Sequence, residues 1–111
     1  MSYSIGSNLK MKKIPISLTR GDTLKLQIEI LVNNEVYIPE EEDIVRFAMK
    51  QSYSSSKVLI KKIIPNDTLI LYIEPKDTKK LPFGTYVYDI EITFANGDVD
   101  TFIKGSFKLE E

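Results

Sequence analysis

Three carboxylates and a lysine come nearest, by type and spacing, to a chemical site. Asp89, Glu91, Asp100 and Lys104 belong to one predicted hairpin and fall on its polar face. Paired carboxylates perform acid–base work when an apolar pocket raises the pKa of one of them. On an open sheet face beside Lys104 they read instead as surface charge. Glu40-Glu41-Glu42-Asp43 is the one charge run. Oxygen ligands attract calcium, but adjacent carboxylates lack the alternating spacing of a calcium loop, so the run reads as a solvated loop. The chain has no histidine and no cysteine. That removes histidine triads, imidazole catalysis, thiolate nucleophiles, disulfides and the common zinc sites. No enzymatic activity, cofactor or metal is expected.

What remains is recognition by surface. Tyr72 and Phe102 lie on the less apolar faces of their predicted strands, and Tyr37 and Tyr53 lie near loops. Aromatic side chains are favoured interface anchors. Together with Asp89, Glu91 and Lys104 they make up the predicted partner surface. Arg20-Gly21-Asp22 spells a cell-adhesion tripeptide, yet glycine and aspartate are what turns use, and the segment reads as a turn.

Composition bounds the partner. A chain of 111 residues has room for one domain and one core. A hydrophobic fraction of 42% and a charged fraction of 28% are those of a globular domain. A net charge of −1 argues against a nucleic-acid partner, which calls for a basic field. No apolar run approaches the roughly 20 residues of a membrane span, and the N-terminus lacks the pattern of a signal peptide.

The elements that must carry these residues are strands. Residues 81–107 read as two strands joined by Asn96-Gly97, the preferred pair for a two-residue type I′ turn. That turn places Ile90 opposite Ile103, Tyr86 opposite Phe107, Asp89 opposite Lys104 and Tyr88 opposite Gly105. It also sets Val99 and Thr101 on the apolar face and Phe102 on the polar one. Upstream, Ile14, Ile16 and Leu18 alternate with polar residues around Pro15, which predicts an edge strand. Leu24, Leu26, Ile28 and Ile30 alternate as a half-buried strand. Asn33-Asn34 turns the chain into a short return over Val36–Ile38. Val45, Phe47 and Met49 alternate in another strand. Ser-rich residues 51–56 form a loop tip, and Val58–Ile64 is a strand of ambiguous phase. Pro65-Asn66-Asp67 turns into Leu69–Ile73, apolar on both faces and read as either central or partner-facing. Asp77 is placed to cap a single helical turn through Lys80. Residues 1–12, polar and interrupted by Gly6, read as a flexible arm.

About seven or eight strands at regular intervals predict an all-β, immunoglobulin-like antiparallel sandwich over residues 13–111. Pro75–Phe83 is its natural crossover, and Tyr86 suits a tyrosine corner, buried with its hydroxyl on backbone.

Four segments carry a resemblance: Leu18–Thr23, Ile44–Lys50, Leu81–Ile90 and Gly97–Gly105. In this order the chain resembles the N-terminal immunoglobulin-like domain of upper-baseplate and tail-fibre proteins from phages and prophages of Gram-positive bacteria. The larger of those proteins continue into fibre or receptor-binding regions. The resemblance implies a non-catalytic virion component, present in the host cytoplasm during assembly. It implies other phage structural proteins as partners, with self-association open, and no catalytic residues. Two other functions stay open. A carbohydrate-binding module for host attachment would need two or three aromatic side chains in a plane next to Asp, Asn or Glu, a set for which Tyr72, Phe102 and Asp100 are the candidates. A small phage-encoded inhibitor of a host protein is compatible with the size and acidity. Nucleic acid, membrane and small-molecule substrates are not expected.

Overall fold

The computed structural model describes residues 2–7, 12–32 and 34–111. In chain order they form β1 (Ser2–Ser7), β2 (Lys12–Lys13), β3 (Ile16–Thr19), β4 (Leu24–Val32), β5 (Glu35–Val36), β6 (Ile44–Lys50), β7 (Val58–Ile64), β8 (Ile70–Ile73), α1 (Pro75–Thr78), β9 (Gly84–Thr93) and β10 (Val99–Glu110). Strands form where apolar and polar residues alternate, because a period of two presents one apolar face. In β4, Leu24, Leu26, Ile28 and Ile30 are buried while Lys25, Gln27 and Glu29 are exposed.

Two sheets face each other, giving the all-β sandwich that the alternation predicts. In the smaller sheet β4 is central, with β1 parallel along one side, β8 antiparallel along the other and β5 returning at its far end. The larger sheet runs β7-β6-β9-β10, all antiparallel. β2 and β3 lie in one parallel register along the free side of β10, Lys12 opposite Ile103 and Ile16 opposite Phe107. Pro15, without an amide hydrogen, falls in the gap between them, on the edge strand that proline calls for.

The sheets are mixed rather than purely antiparallel. No hairpin joins β1 to β4 or β3 to β10, so nothing local imposes opposite directions. The flexible arm expected at residues 1–12 is corrected in part: Ser2–Ser7 pairs with β4 through main-chain bonds, which need no apolar period. Residues 8–11 lie outside the described residues. So does Asn33 of the predicted Asn-Asn turn, whose second residue, Asn34, has a positive φ of 67°.

The core fills the space between the sheets. Its centre is aromatic: Phe47 stacks on Tyr88 at 5.6 Å, and Phe107 meets both rings edge-on. Around it pack the inward residues of β4, β6, β8, β9 and β10. Each fully buried side chain of this size contributes about 1.5–3 kcal/mol.

Two bulges revise the main hairpin. The Gly97 amide donates to Phe94 O (2.9 Å) and the Phe94 amide to Asp98 O (2.8 Å). Gly97 has a φ of 94°. The connection is therefore the three-residue Ala95-Asn96-Gly97, a tight turn followed by a glycine bulge. Asn96 stays out of the left-handed region because its side chain holds the turn: Oδ1 accepts from the Asp98 amide at 2.9 Å. The pairing slips by one residue, Val99 facing Thr93 and Thr101 facing Glu91, until a second bulge between Thr101 and Ile103 restores the predicted register. From there Ile103 meets Ile90, Lys104 meets Asp89 and Phe107 meets Tyr86.

β8 is not central: among the described residues it pairs with β4 alone, so its second apolar face is an edge-strand face. The crossover holds the expected tyrosine corner. Tyr86 is buried and donates its hydroxyl to Pro82 O at 2.6 Å. Asp77 caps α1 from inside the turn, accepting from the Glu74 amide at 2.7 Å, and bridges to Lys62 at 2.8 Å.

Candidate functional site

The predicted partner residues do not share one surface. Asp89, Glu91, Lys104 and Tyr53 do come together, on the outer face of the larger sheet. β9 places Asp89 and Glu91 there because its even-numbered residues, Tyr86 to Ile92, are buried in the core. β10 places Lys104 beside Asp89. Tyr53 reaches the same face from the β6–β7 loop. Its hydroxyl donates within 3.1 Å of Tyr88 O and 3.2 Å of Gly105 O, and Lys104 Nζ sits 5.1 Å from its ring centre.

Phe102 is corrected: it is fully buried in the core. The Thr101–Ile103 bulge gives β10 an extra residue, so strict alternation fails there and Phe102 and Ile103 are both buried. Val99 is corrected the other way. The slipped register takes it off the core face, and it is 58% exposed. Tyr72 belongs to the other sheet, exposed beside Lys25, whose Nζ lies 5.2 Å from its ring. With Phe102 buried, Tyr72 and Phe102 do not make an exposed aromatic plane beside Asp100.

Tyr37 is half-buried and engaged. Its ring meets Phe94 edge-on at 6.0 Å, and its hydroxyl donates to Asp43 Oδ2 at 2.5 Å. Asp43 also accepts from the amides of Glu40 (2.8 Å) and Ala95 (3.2 Å), and it is 4% exposed. The acidic run is thus solvated only over Glu40–Glu42; its last member is a buried knot joining three loops. Burial alone would push Asp43 up, but the bonds from Tyr37, Glu40 and Ala95 override it and hold the carboxyl below its ordinary range. The hydrogen bond to Asp43, then burial, then the charges of Asp43 and Glu40 push the Tyr37 phenol up to about 12.

Cross-strand rows define the outer face. One row reads Ile44, Thr93, Val99; the next reads Ile63, Arg46, Glu91, Thr101; the third reads Lys61, Ala48, Asp89, Lys104. Ile44 and Ile63 are 49% and 59% exposed. Arg46 pairs with Glu91 at 2.5 Å. Asp89 sits in the middle of this face. Burial and the Glu91 charge push its carboxyl up, against opposing pulls from Arg46, Lys50 and Lys104. Its Oδ1 is buried and accepts no hydrogen bond. Arg46 and Ile44 were legible only as residues of the strand β6, and Ile63 less well, since the phase of β7 is ambiguous in sequence.

The arrangement has no nucleophile–base pair. Among the described residues no group of three or more acidic side chains is gathered to hold a metal, and no helix is long and apolar enough to cross a membrane. Arg20 of the adhesion-like tripeptide is occupied: its guanidinium donates to Leu81 O at 3.2 Å and lies 4.0 Å over the Phe83 ring. Comparison of the chain with protein-family models and with curated proteins returns no match.

Proposed function

We propose that this chain is a non-catalytic protein-binding module of a phage virion, most fitting for a tail or baseplate, and that it binds through the outer face of its larger sheet. One observation carries the reading. Ile44, Ile63 and Val99 are exposed on that face around the paired Arg46 and Glu91, with Thr93 and Thr101 between them. Branched aliphatics beside an arginine, on one face of a hydrogen-bonded sheet, are the composition of an interface centre rather than of a solvated face. The resemblance supplies the phage context, and the sandwich supports it as a scaffold for such a face.

The test has two parts. Particles purified from cells carrying the encoding genome are analysed by mass spectrometry, and the chain is expected in stoichiometric amount. Ile63→Lys with Val99→Lys, both on exposed positions, is expected to leave the melting temperature unchanged and to abolish incorporation. Particles that lack the wild-type chain overturn the virion reading. Normal incorporation of the double variant overturns the choice of face.

A further inference from the structure

We propose that a groove on the smaller sheet, between the return from β4 and the turn ahead of β8, docks an extended peptide that carries a lysine or arginine beside an apolar side chain. The groove belongs to the other sheet from the face proposed above, and the inference goes beyond that reading.

The pairing of β8 with β4 ends at Gln27, and that of β5 begins at Leu31. Between these two partners a groove of about 290 Å³ opens against β4. One wall is the return, where Val36 and Ile38 are 61% and 74% exposed. The other wall is the turn, with Asp67 and Leu69. Both walls are fixed by main-chain bonds. The Tyr37 amide donates to Ile30 O at 2.7 Å. Leu69 has a φ of 51°, a left-handed backbone that leucine seldom takes. Its amide donates to Pro65 O and its carbonyl accepts from the Ile28 amide, both at 2.8 Å, while Gln27 Nε2 donates to Thr68 O at 2.8 Å. Walls set before binding spare a ligand the cost of ordering them.

The charge of the groove has one sign. Glu29 and Asp67 are its charged residues, and no lysine or arginine lines it. Both acids are exposed, and among the described residues neither pairs with a cation. Glu35 flanks them on β5, and Glu40, Glu41 and Glu42 follow Ile38 on the same connection, all exposed. β1, whose Gly6 lies opposite Glu29, carries no charged residue. The cations of the adjoining strands are engaged or turned away. Lys25, further along β4, sits over the Tyr72 ring, and Lys62 of β7 is bridged to Asp77 at 2.8 Å. Lys61 lies on the outer face of the larger sheet, opposite Ala48. The field at the groove is therefore negative, and a cation complements it.

A bare cation leaves Val36 and Ile38 in water. A peptide answers both features: its ammonium or guanidinium meets Glu29 and Asp67, and an apolar side chain covers the two aliphatics. The volume is at the lower end for a ligand cleft and suits a short segment rather than a folded surface.

Panning a library of short random peptides against the chain tests this, with an enriched peptide then titrated by fluorescence anisotropy. Enriched sequences are expected to combine lysine or arginine with an aliphatic or aromatic residue. Affinity is expected to fall at least about tenfold between about 0.05 M and about 0.5 M salt, as exposed charges are screened. Glu29→Gln/Asp67→Asn keeps side-chain shape and an acceptor for the Thr68 amide, which bonds Asp67 Oδ1 at 2.9 Å. It is expected to weaken binding at least about tenfold, and Ile38→Ser at least about fivefold. Glu111→Lys makes the same net change of charge at the far end of β10 and is expected to leave affinity unchanged. These positions are all exposed, and thermal melts check that the variants fold. No enrichment, or enriched sequences that lack a cation and an apolar residue together, overturns the inference. So does affinity that survives Glu29→Gln/Asp67→Asn or Ile38→Ser, or that Glu111→Lys weakens as much. Spermidine that displaces the peptide at equal concentration reveals an acidic field without a peptide groove and overturns it equally.

Discussion

A methyl group at residue 105 probes the contact that locks the N-terminal edge onto the main hairpin. Gly105 stands opposite Tyr88, and the main chain of Ile14 passes directly over it. A Cβ built there would lie 2.2 Å from Ile14 O and 2.8 Å from its carbonyl carbon, far inside the contact distance of about 3.5 Å. Ile14 has little freedom to withdraw. Its amide donates to Lys104 O at 2.9 Å, its carbonyl accepts from the Tyr88 hydroxyl at 2.6 Å, and Pro15 restricts its backbone. Moving it away breaks the bond from the hydroxyl of Tyr88, a residue only 1% exposed. Overpacking costs about 1–3 kcal/mol and a lost hydrogen bond about 0.5–1.5 kcal/mol. Gly105→Ala is therefore expected to remove roughly 1.5–4.5 kcal/mol of a stability on the order of 5–15 kcal/mol. Urea unfolding with an unchanged m value measures it. Tyr88→Phe alone should cost about 1 kcal/mol. The double variant should fall short of additivity by at least about 0.5 kcal/mol, because the carbonyl–hydroxyl bond cannot be lost twice. A loss under about 1 kcal/mol for Gly105→Ala, or full additivity, would refute the account.

Two further expectations concern pH and charge. Tyr37 has its pKa raised in the folded state, so the stability it contributes is present below its ordinary value near 10 and is lost as pH climbs through about 12. Asp43 is held low, so its contribution is present above the ordinary carboxylate range and is lost as pH falls through its depressed value. Melting curves of wild type and Tyr37→Phe should therefore converge at the alkaline end, and equal differences at pH 9 and at pH 12 would refute the shared bond. Asp89 runs the other way: its folded pKa is raised, so its charge erodes stability as pH rises above about 4. Asp89→Asn should raise stability at neutral pH and lose that advantage as pH falls below the ordinary carboxylate range, where wild-type Asp89 takes up its proton. Destabilisation at neutral pH would show that its contacts with Arg46 and Lys104 outweigh its burial.

Sequence alternation made most of the fold legible. It found β4, β6 and β9, the crossover and the buried corner at Tyr86, because a one-sided apolar face constrains the residue pattern directly. It failed where main-chain geometry decides. The bulge at Thr101–Ile103 changes which residues are buried without changing residue types, so Phe102 and Val99 exchanged faces. β1 left too short a signal: only Tyr3 and Ile5 alternate before Gly6 and Ser7 interrupt the pattern, and its main chain pairs with β4. Asp43 looked like its neighbours in the acidic run; only the three loops that converge on it distinguish a buried knot from a solvated charge. The partial legibility of the candidate site has the same origin. Asp89, Glu91 and Lys104 followed from register, whereas the exposure of Ile63 depends on the phase of β7, which its apolar pairs conceal.

The position of Asp89 bears on why the outer face is the one proposed to bind. Folding alone favours a neutral residue there: the carboxylate has a buried oxygen without a donor, and its neighbour Glu91 opposes its charge. Everywhere else among the described residues, buried side-chain polar atoms are paired. Local rules that a sequence otherwise obeys tend to be broken where a surface serves another purpose. The exception here falls in the row that carries Lys61 and Lys104, one row from Ile63 and two from Ile44 and Val99. A partner that brings a cation to this face offsets the Glu91 repulsion already present in the free protein. Binding should therefore draw the Asp89 carboxyl back down toward its ordinary range. Binding that releases no proton from the protein just above pH 4 would separate Asp89 from the contact and leave Ile44, Ile63, Val99 and Arg46 to carry it.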